Sequence, residues 1–216
     1  MAAAEITAER TAAGRKLEKL AEAHINDLAM KARFAVQVTA QEAEQNWTRH
    51  GWDLVDCRIA TNAGEPLKPL EQIASGGELS RVMLALKVSV EEGASRGQGS
   101  ARRKAPVPRT LVFDEIDIGI GGRAAEAVGQ KLKELSRAQQ VLCVTHLPQI
   151  AAFADQHFLV EKQERQGKTK TSVRLLEDQD RTEEVARMLS GAKLTDTSLR
   201  HAEQLLKASR KPVKSR

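Results

Sequence analysis

Three observations in the sequence predict an α/β fold with an antiparallel addition. Residues 110–114, Thr-Leu-Val-Phe-Asp, and residues 140–146, Gln-Val-Leu-Cys-Val-Thr-His, are short apolar runs separated by a helix-forming segment over 123–137. Strand, helix, strand at this spacing predicts a right-handed parallel crossover whose strands are buried on both faces. Residues 158–161 and 171–175 flank a Gly-containing connection and predict a hairpin. A long Ala-, Glu-, Lys- and Leu-rich segment opens the chain and predicts a helix.

The elements follow in order. Over residues 2–34, Ile6, Ala13, Leu17, Leu20 and Leu28 fall at roughly helical spacing, with Ile25 beside them. The stripe is thin and one face is strongly charged, which suits a partner helix in a coiled coil or a surface helix packed on its own domain. Residues 34–39 alternate and 54–59 nearly do, predicting two strands, and residues 61–66 form a turn by their Asn, Gly and Pro content. After Ser75-Gly76-Gly77-Glu78, the residues Leu79, Val82, Met83, Leu86 and Val90 predict an amphipathic helix to about Glu92. Residues 93–109 are Gly-, Ser- and Pro-rich and basic, a flexible surface loop with nothing to bury. Two terminal helices, over 181–189 and 196–209, precede a basic tail.

Composition narrows the function. Of 216 residues, 41% are hydrophobic and 29% charged, so a buried core is within reach and disorder is not the default. Aromatics are only 3% and tyrosine is absent, which disfavours a platform for stacking bases. The formal charge of +5 suits a nucleic-acid partner without requiring one. Cys57 and Cys143 sit inside strand-like runs, as two buried free thiols of a reducing compartment. The N-terminus carries charges where a signal peptide needs its apolar centre, and no apolar run approaches the roughly 20 residues of a membrane span. A cytoplasmic protein with no membrane partner is expected.

Three places could carry chemistry. Asp114 and Glu115 end an apolar run, where an α/β sheet places its ligands. An acidic pair there holds a magnesium ion through water and polarises an attacking water, or else caps the next helix. His146 ends the following run and is either a site residue or a structural histidine. Ser75, Gly76 and Gly77 open a helix whose unpaired N–H groups and dipole suit a phosphate, with a plain turn and N-cap as the alternative.

Taken together, "SGGE" opening a helix, an apolar run ending "DE", "DIGIGG" after it, and an apolar run ending "TH" resemble the second half of an ABC-type ATPase head. Those four segments look like signature motif, Walker B, D-loop and H-loop, in the family's order. More specifically, "EPLKPLEQIASGGELSRVMLALK", "TLVFDEIDIGIGGRAAEAVG", "VLCVTHLPQIAAFADQHFLVEK", "EEVARMLSG" and "TDTSLRHAEQLL" resemble RecN, a family of bacterial SMC-like DNA repair proteins. The resemblance covers everything after the first helix except residues 93–109. It implies the C-terminal half of an ABC/SMC-type head, a P-loop NTPase-like sheet flanked by helices, with an N-terminal coiled-coil helix stub. The divisions expected are an arm stub over 1–33, the head lobe over 34–192, and a C-terminal helix with basic tail over 193–216.

The resemblance also implies roles. Asp114 would be the Walker B acid at a Mg2+ ion, through water, and Glu115 the base orienting the hydrolytic water. His146 would be the switch histidine near the γ-phosphate. Ser75, Gly76 and Gly77, with Glu78, would serve ATP held by an opposite head in a sandwich dimer, and Asp117 would lie in the D-loop. Ile118 departs from the small polar residue expected beside Asp117.

A Walker A loop, GxxxxGK[ST], is missing from the chain; Gly167-Lys168-Thr169 has lysine at position 162 and reads as a hairpin turn. The expectation is therefore the C-terminal part of a longer protein, inactive alone, whose Walker A and Q-loop come from an N-terminal half of the same head. Competing readings are a truncated, non-enzymatic interaction module and an ABC transporter nucleotide-binding subunit, the latter disfavoured by the charged first helix and by "THLPQIAAFAD". Arg96, Arg102, Arg103, Lys104 and Arg109, and the tail residues Lys207, Arg210, Lys211, Lys214 and Arg216, would meet DNA without regard to sequence, or are simply solvated charge.

Overall fold

A computed structural model describes residues 2–62, 64–73, 75–96, 109–165, 168–191 and 193–210. The chain divides into two compact units, Met1–Ile116 with Leu135–Leu142, and Asp117–Glu134 with Cys143–Arg216.

In the first unit, helix α1 (Ala2–Asp27) packs on strand β1 (Arg33–Ala40) and on helix α2 (Gly76–Arg96). The helix ends seven residues before the expected boundary. Leu28 turns inward, fully buried, and Ala29 takes a positive φ of 61°, breaking the helical path before β1 begins. Ala21, Ile25 and Leu28 are buried, as are Phe34, Ile59 and Ala60 of the sheet, and α1 packs on β1, so the end of α1 belongs to this unit's core. Polar ties also fix α1: Thr7 donates to Asp53 Oδ1 at 2.6 Å, and Arg10 pairs with Asp53 Oδ2 at 2.8 Å.

Strand β1 pairs antiparallel with β2 (Asp53–Ala60) in the register Arg33↔Ala60 to Ala40↔Asp53, and β3 (Lys68–Pro69) joins the far side of β2. The loop between β1 and β2 is closed by Trp47 and Trp52, whose ring centroids lie 6.2 Å apart.

Helix α2 differs from expectation in two ways. It begins at Gly76, so both glycines form its first turn instead of preceding it. It also continues to Arg96, four residues into the segment expected to be loop; residues 97–108 lie outside the described residues. Buried along it are Gly77, Arg81, Val82, Leu84, Ala85, Val88 and Ser89, while Leu79, Met83 and Val90 remain exposed. The helix carries apolar residues on two faces, and only one is covered.

Strand β4 (Thr110–Phe113) pairs with β5 (Gln140–Cys143). Gln140 N–H donates to the Arg109 carbonyl at 2.9 Å, and the Thr110 hydroxyl to Gln140 Oε1 at 2.6 Å. Both bonds join N-terminal ends, so the strands run parallel, as the spacing predicts. Burial on both faces does not hold: Val112 is 66% and Leu142 49% exposed. The other face carries Phe113, which is buried. Cys57 and Cys143 are free thiols but only half-buried.

In the second unit, helix α3 (Gly122–Leu135) and the short α4 (Pro148–Ala151) precede the hairpin of β6 (His157–Arg165) and β7 (Lys168–Leu176). The hairpin pairs over its whole length, His157↔Leu176 to Arg165↔Lys168, longer than the sequence runs suggest. Helices α5 (Asp178–Ser190) and α6 (Asp196–Ser209) form this unit's core with Ala152: Val185, Ala186, Ala202 and Leu206 are buried together. A capping box at Thr195 and Ser198 starts α6. Among the described residues, no helix is long and apolar enough to cross a membrane.

Candidate functional site

The residues singled out by sequence fall into two groups, one in each unit. In the first, Ser75 caps α2. Its hydroxyl accepts from the Glu78 N–H at 3.4 Å and its carbonyl from the Leu79 N–H at 3.0 Å. The cap is a role in the fold, and it leaves the exposed Gly76 at the helix's first turn. Beyond β4 the chain makes an acidic turn. The Glu115 N–H donates to Asp114 Oδ1 at 2.9 Å, and Glu115 adopts a left-handed φ of 58°.

That conformation sends the Glu115 side chain to α2. A Cβ on Gly76 would sit 2.6 Å from Glu115 Oε2, so glycine is what allows the carboxylate this close to the helix start. Placing a carboxylate beside a helix N-terminus is electrostatically favourable. Ser75, Gly76 and Gly77 are thus brought together with Glu115 within one chain. Two further α2 residues, not foreseen from sequence, hold the same turn. The Ser80 hydroxyl donates to the Asp114 carbonyl at 3.0 Å, and Arg81 Nη1 donates to the Ile116 carbonyl at 3.3 Å. Arg81 is only 6% exposed, and burial pulls its pKa down from the ordinary guanidinium value. Positions 76 and 80 lie one turn apart on one face of a helix beginning at Gly76, and Arg81 is the next residue round the helix.

The second group joins Asp117 to His146. Asp117 is 5% exposed; its Oδ2 accepts two hydrogen bonds and faces the His146 ring. The bonds come from the Thr145 hydroxyl at 2.7 Å and the His146 backbone N–H at 2.8 Å, and the His146 ring Nδ1 lies 2.9 Å away as an ion-pair contact. Burial alone would raise the Asp117 pKa; the bonds from Thr145 and the His146 backbone, with the His146 ring charge, outweigh it and hold the carboxyl below its usual range. With Nδ1 engaged, the ring turns Nε2 outward on a side chain that is 73% exposed. Against expectation, β5 stops at Cys143, and His146 stands three residues beyond it on a turn closed by Leu147 N–H to Thr145 Oγ1 at 3.0 Å.

Behind this turn, Arg181 of α5 donates through Nη2 to the carbonyls of Ala151, Ala152 and Ala154, at 3.3, 3.1 and 2.7 Å. It satisfies the C-terminal carbonyls of α4, groups that a helix cannot pair by itself. The Ser209 hydroxyl adds a bond to the Ala152 carbonyl at 2.7 Å. Thr145 and Arg181 carried no signal in the sequence, because each serves a backbone or a carboxylate far from it in the chain.

No protein-family model matches the chain. Among individual proteins, it is 40% identical over 215 residues to the DNA repair protein RecN of Streptomyces coelicolor, covering 95% of this chain and 36% of that protein. It is 38% identical over 209 residues to RecN of Vibrio cholerae, covering 96% of this chain and 35% of the relative. RecN of Bacillus subtilis is 45% identical over 160 residues, covering 74% of this chain and 26% of its own length. This chain matches the RecN family. The RecN-like chain spans only about a quarter to a third of the length of these relatives.

Its backbone resembles the Smc head domain with a coiled coil and joint from Pyrococcus yayanosii, with a TM-score of 0.51 at 20% identity. That likeness covers 94% of the RecN-like chain and 30% of the Smc chain, and at this identity it concerns the fold alone. The fold is thus an α/β arrangement resembling that of an Smc head domain, with the long helix α1 at its start.

Proposed function

We propose that this chain supplies the C-terminal portion of the ATPase head in a RecN-like protein of DNA double-strand break repair and recombination. The acidic turn carries the reading. An acid pair closes a parallel strand, and its second member reaches the first turn of the helix opened by Ser75-Gly76-Gly77, in a chain that matches RecN. In this reading Glu115 is the base that orients the attacking water. His146 presents Nε2 to a phosphate, and Ser75, Gly76, Gly77 and Glu78 meet ATP bound by a second head. Asp117 lies in the D-loop segment and anchors His146.

Asp114 offers one hard carboxylate at a strand end, with Oδ1 accepting the Glu115 N–H. Magnesium takes one or two carboxylates and fills its remaining positions with water and phosphate oxygens, so the donor fits. Bound there, the ion would neutralise charge on the phosphates. The chain's own residues do the rest: Glu115 holds the water, and the Asp117–His146 pair holds a ring nitrogen in place.

The missing phosphate loop would come from an N-terminal part of the same protein. The exposed Val112 and Leu142 of the β4–β5 sheet support this, since a finished domain does not leave such a face in water. Without that part, the chain is expected neither to bind ATP tightly nor to hydrolyse it. The setting is cytoplasmic, on the nucleoid, with DNA bound irrespective of sequence. Joining the chain to a segment bearing GxxxxGK[ST] and measuring ATP turnover tests the proposal. Glu115→Gln should preserve ATP binding, slow hydrolysis and prolong head dimerisation; unchanged turnover would remove Glu115 from its role.

A further inference from the structure

We propose that Ser80 and Arg81 are positioning residues for Glu115, and that they make the start of α2 and the acidic turn one mechanical piece. The inference rests on the reading above, in which Glu115 is the base and the first turn of α2 meets the γ-phosphate of a second head.

The starting observation is strain. Glu115 has a left-handed φ of 58°, and for a non-glycine residue this costs about 1–2 kcal/mol. Such a conformation persists only where the surroundings fix it. Here the fixing groups come from α2. Ser80 holds the carbonyl of the residue before Glu115, and Arg81 holds the carbonyl of the residue after it. Glu115 is therefore bracketed on both sides, while its N–H is held by Asp114 Oδ1 at 2.9 Å. Its carboxylate then lies over Gly76, one turn back along the same helix.

Three residues in the first two turns of α2, at 76, 80 and 81, touch or approach three consecutive residues, 114, 115 and 116. Ile116 is fully buried and Arg81 nearly so, which gives the bracket a rigid base. Burying a guanidinium costs free energy that apolar packing would avoid. A residue serving packing alone would be better as leucine or methionine; an arginine there has directional work to do.

The consequence concerns two ATP molecules. If the first turn of α2 meets the phosphate of one nucleotide, and Glu115 of the same chain acts on another, then Ser80 and Arg81 link the two sites through one chain. Seating a phosphate on Gly76 also competes with the Glu115 carboxylate for the same helix end. Nucleotide contact would thus free Glu115 to turn toward its own water.

Two measurements test this. In the 216-residue chain, backbone chemical shifts of Glu115 report its left-handed φ. Ser80→Ala should move them toward ordinary right-handed or extended values, while Ser80→Thr, which keeps the hydroxyl, should leave them in place. In the protein assembled with its phosphate-loop segment, Ser80→Ala should lower kcat about tenfold with KM for ATP unchanged, and Ser80→Thr should restore it. Arg81→Met should act as Ser80→Ala does; if that variant fails to fold, the Ser80 pair decides alone. Unmoved shifts together with unchanged kcat in Ser80→Ala would overturn the proposal. If Glu115→Gln stops turnover and Ser80→Ala does not slow it, the bracket fails while the base assignment stands. If Glu115→Gln leaves turnover unchanged, the base assignment itself fails.

Discussion

At the scale of single residues, the Asp117–His146 pair makes the sharpest predictions. Asp117 fixes which ring nitrogen of His146 carries the proton, since Nδ1 faces the carboxylate at 2.9 Å. Long-range 15N NMR of the histidines should show the Nδ1–H form at His146, and Asp117→Ala should shift it toward Nε2–H. The same variant removes the acceptor of two hydrogen bonds, and bonds to charged groups contribute about 1.5–3 kcal/mol each. Two groups, His157 and Asp117 itself, set the response to acid. His157, half-buried against Arg181 with Glu184 nearby, has its pKa lowered chiefly by burial and then by Arg181. The unfolded chain binds this proton more readily than the folded one, so stability is full above the ordinary value near 6.5 and falls as pH drops below it. The thermal midpoint should decline from pH 7 to 5.5, and less so in His157→Gln. Asp117, with its lowered pKa, adds stability above about pH 4 that is lost on further acidification.

At the scale of elements, α4 is a four-residue helix with no means of standing alone. Arg181 closes one end of it, and α3 closes in from another side through a glycine. A Cβ on Gly129 would lie 2.4 Å from the Phe153 ring and 3.1 Å from the Gln149 carbonyl oxygen. Gly129→Ala should therefore destabilise the second unit by about 1–3 kcal/mol, as overpacking does. Arg181→Ala should cost on the order of 3 kcal/mol, because three carbonyls lose a charged donor. Urea titration of both variants checks these values; an Arg181→Ala midpoint equal to that of the parent would show that water replaces the guanidinium fully. The existence of α3, β5, α5 and α6 was legible in the sequence as helix-forming segments and an apolar run; that of α4, only four residues long, was not. The ends of elements were less legible. The stop of α1 at Asp27 depends on Leu28 turning into the core, and no local residue announces that. The buried face of α2 was also hidden, because its two apolar faces have nearly equal claims until α1 covers one.

At the scale of the whole molecule, the apolar faces left in water are the main fact. In the hairpin, Phe158 stands opposite Leu175 and Val160 opposite Val173, and all four are exposed, Val173 at 64%. The chain should self-associate at high concentration, as open faces of this kind do. Val112→Thr with Val173→Thr should reduce that association in light scattering and leave stability within about 0.5 kcal/mol. The sequence allowed the motifs to be ordered and the missing phosphate loop to be noticed. It did not disclose which strand faces would stay bare, because an apolar run has the same letters whether or not something covers it.

The left-handed Glu115 has one more consequence, for selection. Replacing it with glycine relieves the backbone strain at φ 58°, offset in part by glycine's greater freedom in the unfolded chain. Glu115→Gly should raise stability by on the order of 0.5–1 kcal/mol. A screen for heat-resistant variants would thus enrich a substitution that discards the carboxylate proposed to do the chemistry. At this position folding stability and the proposed reaction favour different residues.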